Sequence, residues 1–177
     1  MFLKMPVYVM PFYMMIAALA AVPPGVFAQG GREGQAAKPQ TIDLATAKKM
    51  VAAAEAEALK ANAKVGIAVV DSNGDLVASE RIDGASTRGV TSAQAKARAA
   101  LLFGLPTKQV QDAIAAGKPV QASVTAAAAS SELVINQGGL PIIKDGKVIG
   151  GIGVGGSASS EDERFAQTGI NAVFPAK

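Results

Sequence analysis

An α+β fold, one antiparallel sheet with helices packed on its faces, is predicted by three features of this 177-residue chain. First, two pairs of apolar, β-branched runs are joined by the turn clusters Asp71-Ser72-Asn73-Gly74-Asp75 and Asp145-Gly146, so that neighbouring strands pair as hairpins. Second, helical periodicity lies before, between and after those hairpins, with no repeated strand-helix-strand crossover. Third, Gly151, Gly153 and Gly155 fall on alternate positions of the last strand and strip one of its faces of side chains. A bare face of that kind lets a helix backbone come close.

Helix one is expected from a cap at Thr41 or Asp43 to about Asn62, because Leu44, Ala47, Val51, Ala54 and Ala58 recur at spacings of three and four. The run Val65-Gly66-Ile67-Ala68-Val69-Val70 has no polar member and reads as a strand buried on both faces. Leu76 to Ile82 returns beside it. The polar loop Asp83 to Gly89 then leads into a helix over about Thr91 to Phe103, with Val90, Ala93, Ala97 and Leu101 as its apolar stripe. Gly104-Leu105-Pro106 ends that helix, Thr107 is placed to cap the next, and Lys108 to Ala116 forms a short helix closed by Gly117. Between Pro119 and Gln137 an alanine and serine run favours helix, while Leu133-Val134-Ile135 favours strand.

The second hairpin needs positive φ at Asp145 and Gly146, the type I′ requirement. Val148, Ile152 and Val154 are expected on the face opposite the glycines. The segment after it, Ser160-Glu161-Asp162-Glu163, has the capping-box form, and the helix it opens is expected to be the one that crosses the bare face. Gly151 to Gly156 also matches the dinucleotide fingerprint G-x-G-x-x-G, but three acids in the following first turn would repel a pyrophosphate.

Residues 1–28 have the form of a secretory signal peptide, with Lys4 as the charge, Val7 to Val22 as the apolar centre and Val26-Phe27-Ala28 before the cut. Pro11, Pro23 and Pro24 interrupt that stretch, so no stable membrane anchor is expected after cleavage. Residues 29–40 read as a flexible lead-in and 41–177 as a single domain, periplasmic or extracellular. A net charge of +3 without a dense basic run argues against nucleic acid. The chain has no Cys and no His, which excludes disulfides, thiolate or imidazole metal sites, and Ser-His-Asp or Cys-His catalysis. Both tyrosines and five of the six methionines lie within the first 28 residues, leaving Met50.

Several stretches together resemble the GlcG/HbpS-like haem-binding family, whose domain also occurs at the C-terminus of some corrinoid adenosyltransferases. They are Ile67 to Asp71 with Gly74 to Ala78, Arg81 to Ala85, Ala95-Lys96-Ala97, Phe103 to Thr107, Gly138 to Ile142, Asp145-Gly146, Val148 to Val154 and Asp162-Glu163. In order and spacing they cover roughly Leu44 to Val173. The resemblance implies a profilin-like fold, a homo-oligomer and, for some exported members, a bound haem.

Haem needs an apolar slot, cations for its propionates and usually a His, Met, Cys or Tyr on iron. Met50, at its helical position, reads as packing, so iron would have to be ligated by hydroxyl, carboxylate or water. On the matching positions, the residues expected to bind a ligand are Arg81, Asp83, Lys96 and Thr107; none is assigned as catalytic and no metal ligand is identified. Arg81 with Asp83 could hold an anion through the guanidinium fork or form a strand-end ion pair. Lys96, close to the apolar stripe of its helix, could contact an anion or lay its stem along the sheet edge. Thr107 could bind ligand or cap its helix. Lys144 and Lys147 would face each other across the hairpin turn, a small repulsion that a solvated tip tolerates. The expected function is therefore an exported, non-enzymatic binder of haem or a related tetrapyrrole, an anionic small molecule. The alternative is an enzyme, or enzyme accessory, acting on a small carboxylate with Lys96 as amine and Arg81 as clamp.

Overall fold

The computed structural model describes residues 41–122 and 132–175. The leader and lead-in expected over residues 1–40 lie outside them. Eight elements follow in order: α1 (Leu44–Lys60), β1 (Gly66–Asp71), β2 (Leu76–Arg81), α2 (Thr87–Phe103), α3 (Thr107–Ala115), β3 (Gly139–Lys144), β4 (Lys147–Gly155) and α4 (Ser159–Asn171). The strands form one antiparallel sheet in the order β2-β1-β4-β3. This is the α+β arrangement that the hairpins predict.

β1 is central, and its apolar run is buried on both faces as its composition requires. Ile67 and Val69 join Ile152, Val154 and Ile142 against α1 and α4, where Met50, Val51, Phe165 and Ala166 complete the main core. Each large side chain fully buried there contributes about 1.5–3 kcal/mol. Met50 has no exposed surface and is a core residue, as its position in α1 suggests. On the other face Val70 meets Ala97, Leu101 and Leu102 of α2. β3 is an edge strand, so Pro141 can occupy it without removing a bond from the centre of the sheet.

The bare glycine face is occupied, but by α2 and not by α4. A Cβ on Gly153 would overlap Ala93 O and stand 2.7 Å from Ala97 N, and one on Gly151 would overlap Ala97 O. The helix backbone thus rests directly on the strand. α4 packs on the opposite face, beside α1. Val148 also departs from expectation. The β3–β4 register shifts between Ile142 and Ile143, which pair with Gly150 and Val148, so Ile149 is an extra residue in the ladder. Such a bulge turns Val148 to the α2 side, where it packs with Val70 and Leu101.

Local signals decide the structure where a single turn is enough. Asp145 and Gly146 both have positive φ, 50° and 75°. Asp43, not Thr41, caps α1, its carboxylate accepting from Thr46 N at 2.7 Å. α2 begins a turn earlier than its stripe suggests, because Ser86 accepts from Gly89 N at 3.1 Å. The caps predicted at Thr107 and Ser160 are not formed. Pro106 and Ala158 hold those positions without a side-chain bond, and both predicted residues lie inside their helices. Residues 132–135 are irregular, not a strand, and run beside α2 with Val134 N donating to Ala95 O at 3.4 Å.

Candidate functional site

The glycine floor draws α2 across the end of β4, and Lys96 is the charged residue this brings inside. Its ammonium donates to Val154 O and to Asp162 Oδ2, each at 2.9 Å. Both side chains are nearly sealed, at 5% and 2% exposure. Lys96 comes from the helix on one face of the sheet and Asp162 from the helix on the other, so the ion pair joins the two layers around the end of β4. Asp162 Oδ1 also accepts from Ser157 N at 3.1 Å, which fixes the turn between β4 and α4. Gly138 closes over the pair. With φ at 123°, it carries no side chain, and a Cβ there would stand 2.8 Å from Lys96 Nζ.

Thr107 secures the same strand entrance from α3. Its hydroxyl donates to Asn136 O at 2.9 Å and accepts from Gly139 N at 2.9 Å. Both capacities are used within the fold, which gives this fully buried threonine an anchoring role.

Beside the ion pair lies a cleft of about 350 Å³, bordered by Arg88, Ser92 and Lys96 of α2, by Asn136, by Ser157 of the turn into α4, and by Ser159 and Asp162 of α4 itself. Lys96 and Asp162 offset each other in charge. Arg88, exposed in the first turn of α2, makes no ion pair among the described residues, and Glu132 stands at the rim. An ammonium has three donors, and two of those on Lys96 have protein acceptors among the described residues. Lys96 therefore reaches the cleft wall as a nearly sealed member of a neutral pair. With Arg88 and Lys96 set against Glu132 and Asp162, the lining is polar and balanced in charge, and Arg88 is its exposed cation.

Arg81 and Lys96 are not brought together. Arg81, at the end of β2, borders a separate shallow cleft with Glu80, Thr87 and Val90, and the first turn of α2 stands between that cleft and the one holding Arg88. Asp83 is exposed and borders neither. The strand-end ion pair considered for Arg81 and Asp83 is absent among the described residues. Positions i and i+2 share a face only while a strand continues, and this one ends at Arg81 before the turn at Gly84, whose φ is 83°. Arg88 is missed by a reading that starts the helix at Thr91. The Ser86-x-x-Gly89 cap is the signal that would have found it.

Next to Arg81, Glu80 has its carboxyl held above the ordinary value of 4.5, by burial first and then by the charge and hydrogen bond of Glu55, with Lys48 opposing. A raised folded-state value means that the folded protein binds the proton more tightly than the unfolded chain does. The stabilisation is therefore complete below the ordinary value and is lost as pH rises through the raised one. Glu80→Gln should flatten that slope and raise the melting temperature at neutral pH. Melting curves from about pH 4 to about pH 8 check this, and an unchanged slope would count against it.

A central antiparallel sheet between two helical layers, with a polar cleft where the layers are joined, defines a small layered α+β domain. The chain belongs to the HbpS-like family: residues 42–171 match the family model described as "Haem degrading protein HbpS-like". It is 37% identical over 133 residues to an uncharacterized 15.0 kDa protein of the dhaT-dhaS intergenic region of Citrobacter freundii, covering 74% of this chain and 91% of that one. It is 35% identical over 108 residues to Protein GlcG of Escherichia coli strain K12, covering 61% of this chain and 76% of GlcG. The solved structure of a double mutant of Streptomyces reticuli HbpS superposes with a TM-score of 0.67 at 31% identity, over 87% of this chain and 98% of HbpS.

Among the described residues no His, Cys, Tyr or Met borders the cleft, so a haem iron would find none of its usual axial side chains there. Met50 is sealed in the core, and the hydroxyl of Thr107 is already engaged on both sides. Arg88 is the cleft group suited to a carboxylate.

Proposed function

We propose that the protein is an exported tetrapyrrole-binding member of the HbpS-like family that holds its ligand without transforming it. The cleft beside Lys96 is the observation that carries this reading: the exposed guanidinium of Arg88 borders a polar space of about 350 Å³ between α2 and the turn into α4. That space is at the small end of ligand sites, enough for the acid-bearing edge of a macrocycle. Family membership supplies the ligand class. The form of residues 1–28 supports export, and self-association is the accompanying expectation.

An enzyme using Lys96 as amine and Arg81 as clamp is less well supported, because the two residues border different clefts. Lys96 is also committed as a donor to a buried carboxylate and a buried carbonyl. Titration of the purified protein with haemin should shift the Soret band and saturate at micromolar concentration. No shift would dismiss haem, and progressive bleaching with a reductant present would replace holding by degradation.

A further inference from the structure

We infer that this chain recognises a tetrapyrrole through its carboxylate arms and not through a central metal, so that the iron-free porphyrin binds as well as haemin. The inference rests on the tetrapyrrole reading above and on loss of residues 1–28 with the leader, and it specifies which chemical feature the site reads.

Two observations converge on it. One is the donor inventory. The sequence has no His or Cys, its two tyrosines are Tyr8 and Tyr13, and beyond the leader its methionine is Met50. Met50 is wholly buried between α1 and the sheet. Reaching an iron would require the main core to open. Thr107, the buried hydroxyl at this end of the sheet, has both its donor and its acceptor capacity used.

The other observation is the polarity of the cleft. Arg88 offers five N–H donors with no ion-pair partner among the described residues, whereas Lys96 is nearly sealed and neutralised by Asp162. Guanidinium groups recognise carboxylates through charge-assisted hydrogen bonds. Ser92 and Asn136 add neutral polar groups around the same space. Glu132 at the rim opposes an anion, but it is exposed and well solvated, so it limits affinity without reversing the preference. Among the described residues no His, Cys, Tyr or Met borders this cleft, so none of the usual axial side chains reads a metal there.

Equilibrium titrations with three probes test the inference: haemin, metal-free protoporphyrin IX and protoporphyrin IX dimethyl ester. Haemin and the metal-free acid are expected to have dissociation constants within about threefold of each other. Masking both acids should weaken binding by about tenfold to about a hundredfold, the range of a lost charge-assisted hydrogen bond. Arg88→Ala, at an exposed position, should weaken both free acids equally and leave the unfolding midpoint unchanged. Haemin binding tenfold or more tighter than the metal-free acid would overturn the inference while leaving the tetrapyrrole reading intact. An ester that binds as well as the acid would also overturn it. Failure of all three probes to bind would remove the tetrapyrrole reading, and the inference with it.

Discussion

Asp162→Ala is expected to remove about 3–5 kcal/mol of folding stability, the usual cost of leaving one member of a buried ion pair without its partner. Lys96 would then keep Val154 O as its acceptor while remaining sealed under Gly138. Loss of the bond from Ser157 N adds about 1 kcal/mol and loosens the turn that borders the cleft. Against a typical domain stability of about 5–15 kcal/mol, this is a large fraction. Removing both charges has a different outcome. Lys96→Met with Asp162→Leu fills similar volume without a buried charge and should recover most of the loss, because the desolvation penalty of the pair offsets much of its attraction. Urea unfolding of wild type, Asp162→Ala and the double variant measures this. A single variant within about 1 kcal/mol of wild type would mean that the pair is not sealed in solution.

Where neighbouring residues decide the structure, the sequence was enough. Asp145-Gly146 fixes its turn through the φ values of two adjacent residues, and β1 declares its double burial by having no polar residue from Val65 to Val70. Identity of the helix on the glycine face is not decided locally. The alternation at Gly151, Gly153 and Gly155 calls for a backbone to approach, and Ala93 and Ala97 of α2, one helical turn apart, provide the matching small surface far earlier in the chain. The bulge at Ile149 shows why simple period-two counting fails: one extra residue moves Val148 across the sheet. The candidate site was legible to the same extent. Lys96 stands out as a charge within an alanine-rich stripe, and the resemblance included Asp162. Their pairing depends on two helices from opposite faces meeting at the end of β4, and nothing local distinguishes Asp162 from the acids beside it. Arg81 attracts attention for its charge but is diverted by the first turn of α2, which presents Arg88 to the cleft instead.

Gly153→Ala should cost about 3 kcal/mol, the upper part of the range for overpacking. Two effects of the methyl oppose each other. Restricting the unfolded chain favours the variant by about 0.4–1 kcal/mol where the native backbone accepts a side chain without strain. Here the new atom overlaps Ala93 O and lies 2.7 Å from Ala97 N and 3.1 Å from Ala93 C. All three belong to the helix backbone, so no rotamer change relieves the contact, and α2 must lift from the sheet along its length. The steric term therefore prevails. Because the clash is with backbone, Ala93→Gly should fail to rescue it, whereas a side-chain clash would be relieved by that change. Lifting α2 also carries Lys96 away from Val154 O and Asp162, which breaks the buried ion pair. Gly146→Asn, at the open tip of the same hairpin where an added Cβ meets nothing within 4 Å, provides the contrast. Asn tolerates the left-handed turn, and that variant should stay within about 0.5–1 kcal/mol of wild type. Paired unfolding curves of the two variants separate close helix approach from a general need for glycine in this hairpin, and equal losses would refute the assigned role of the glycine face.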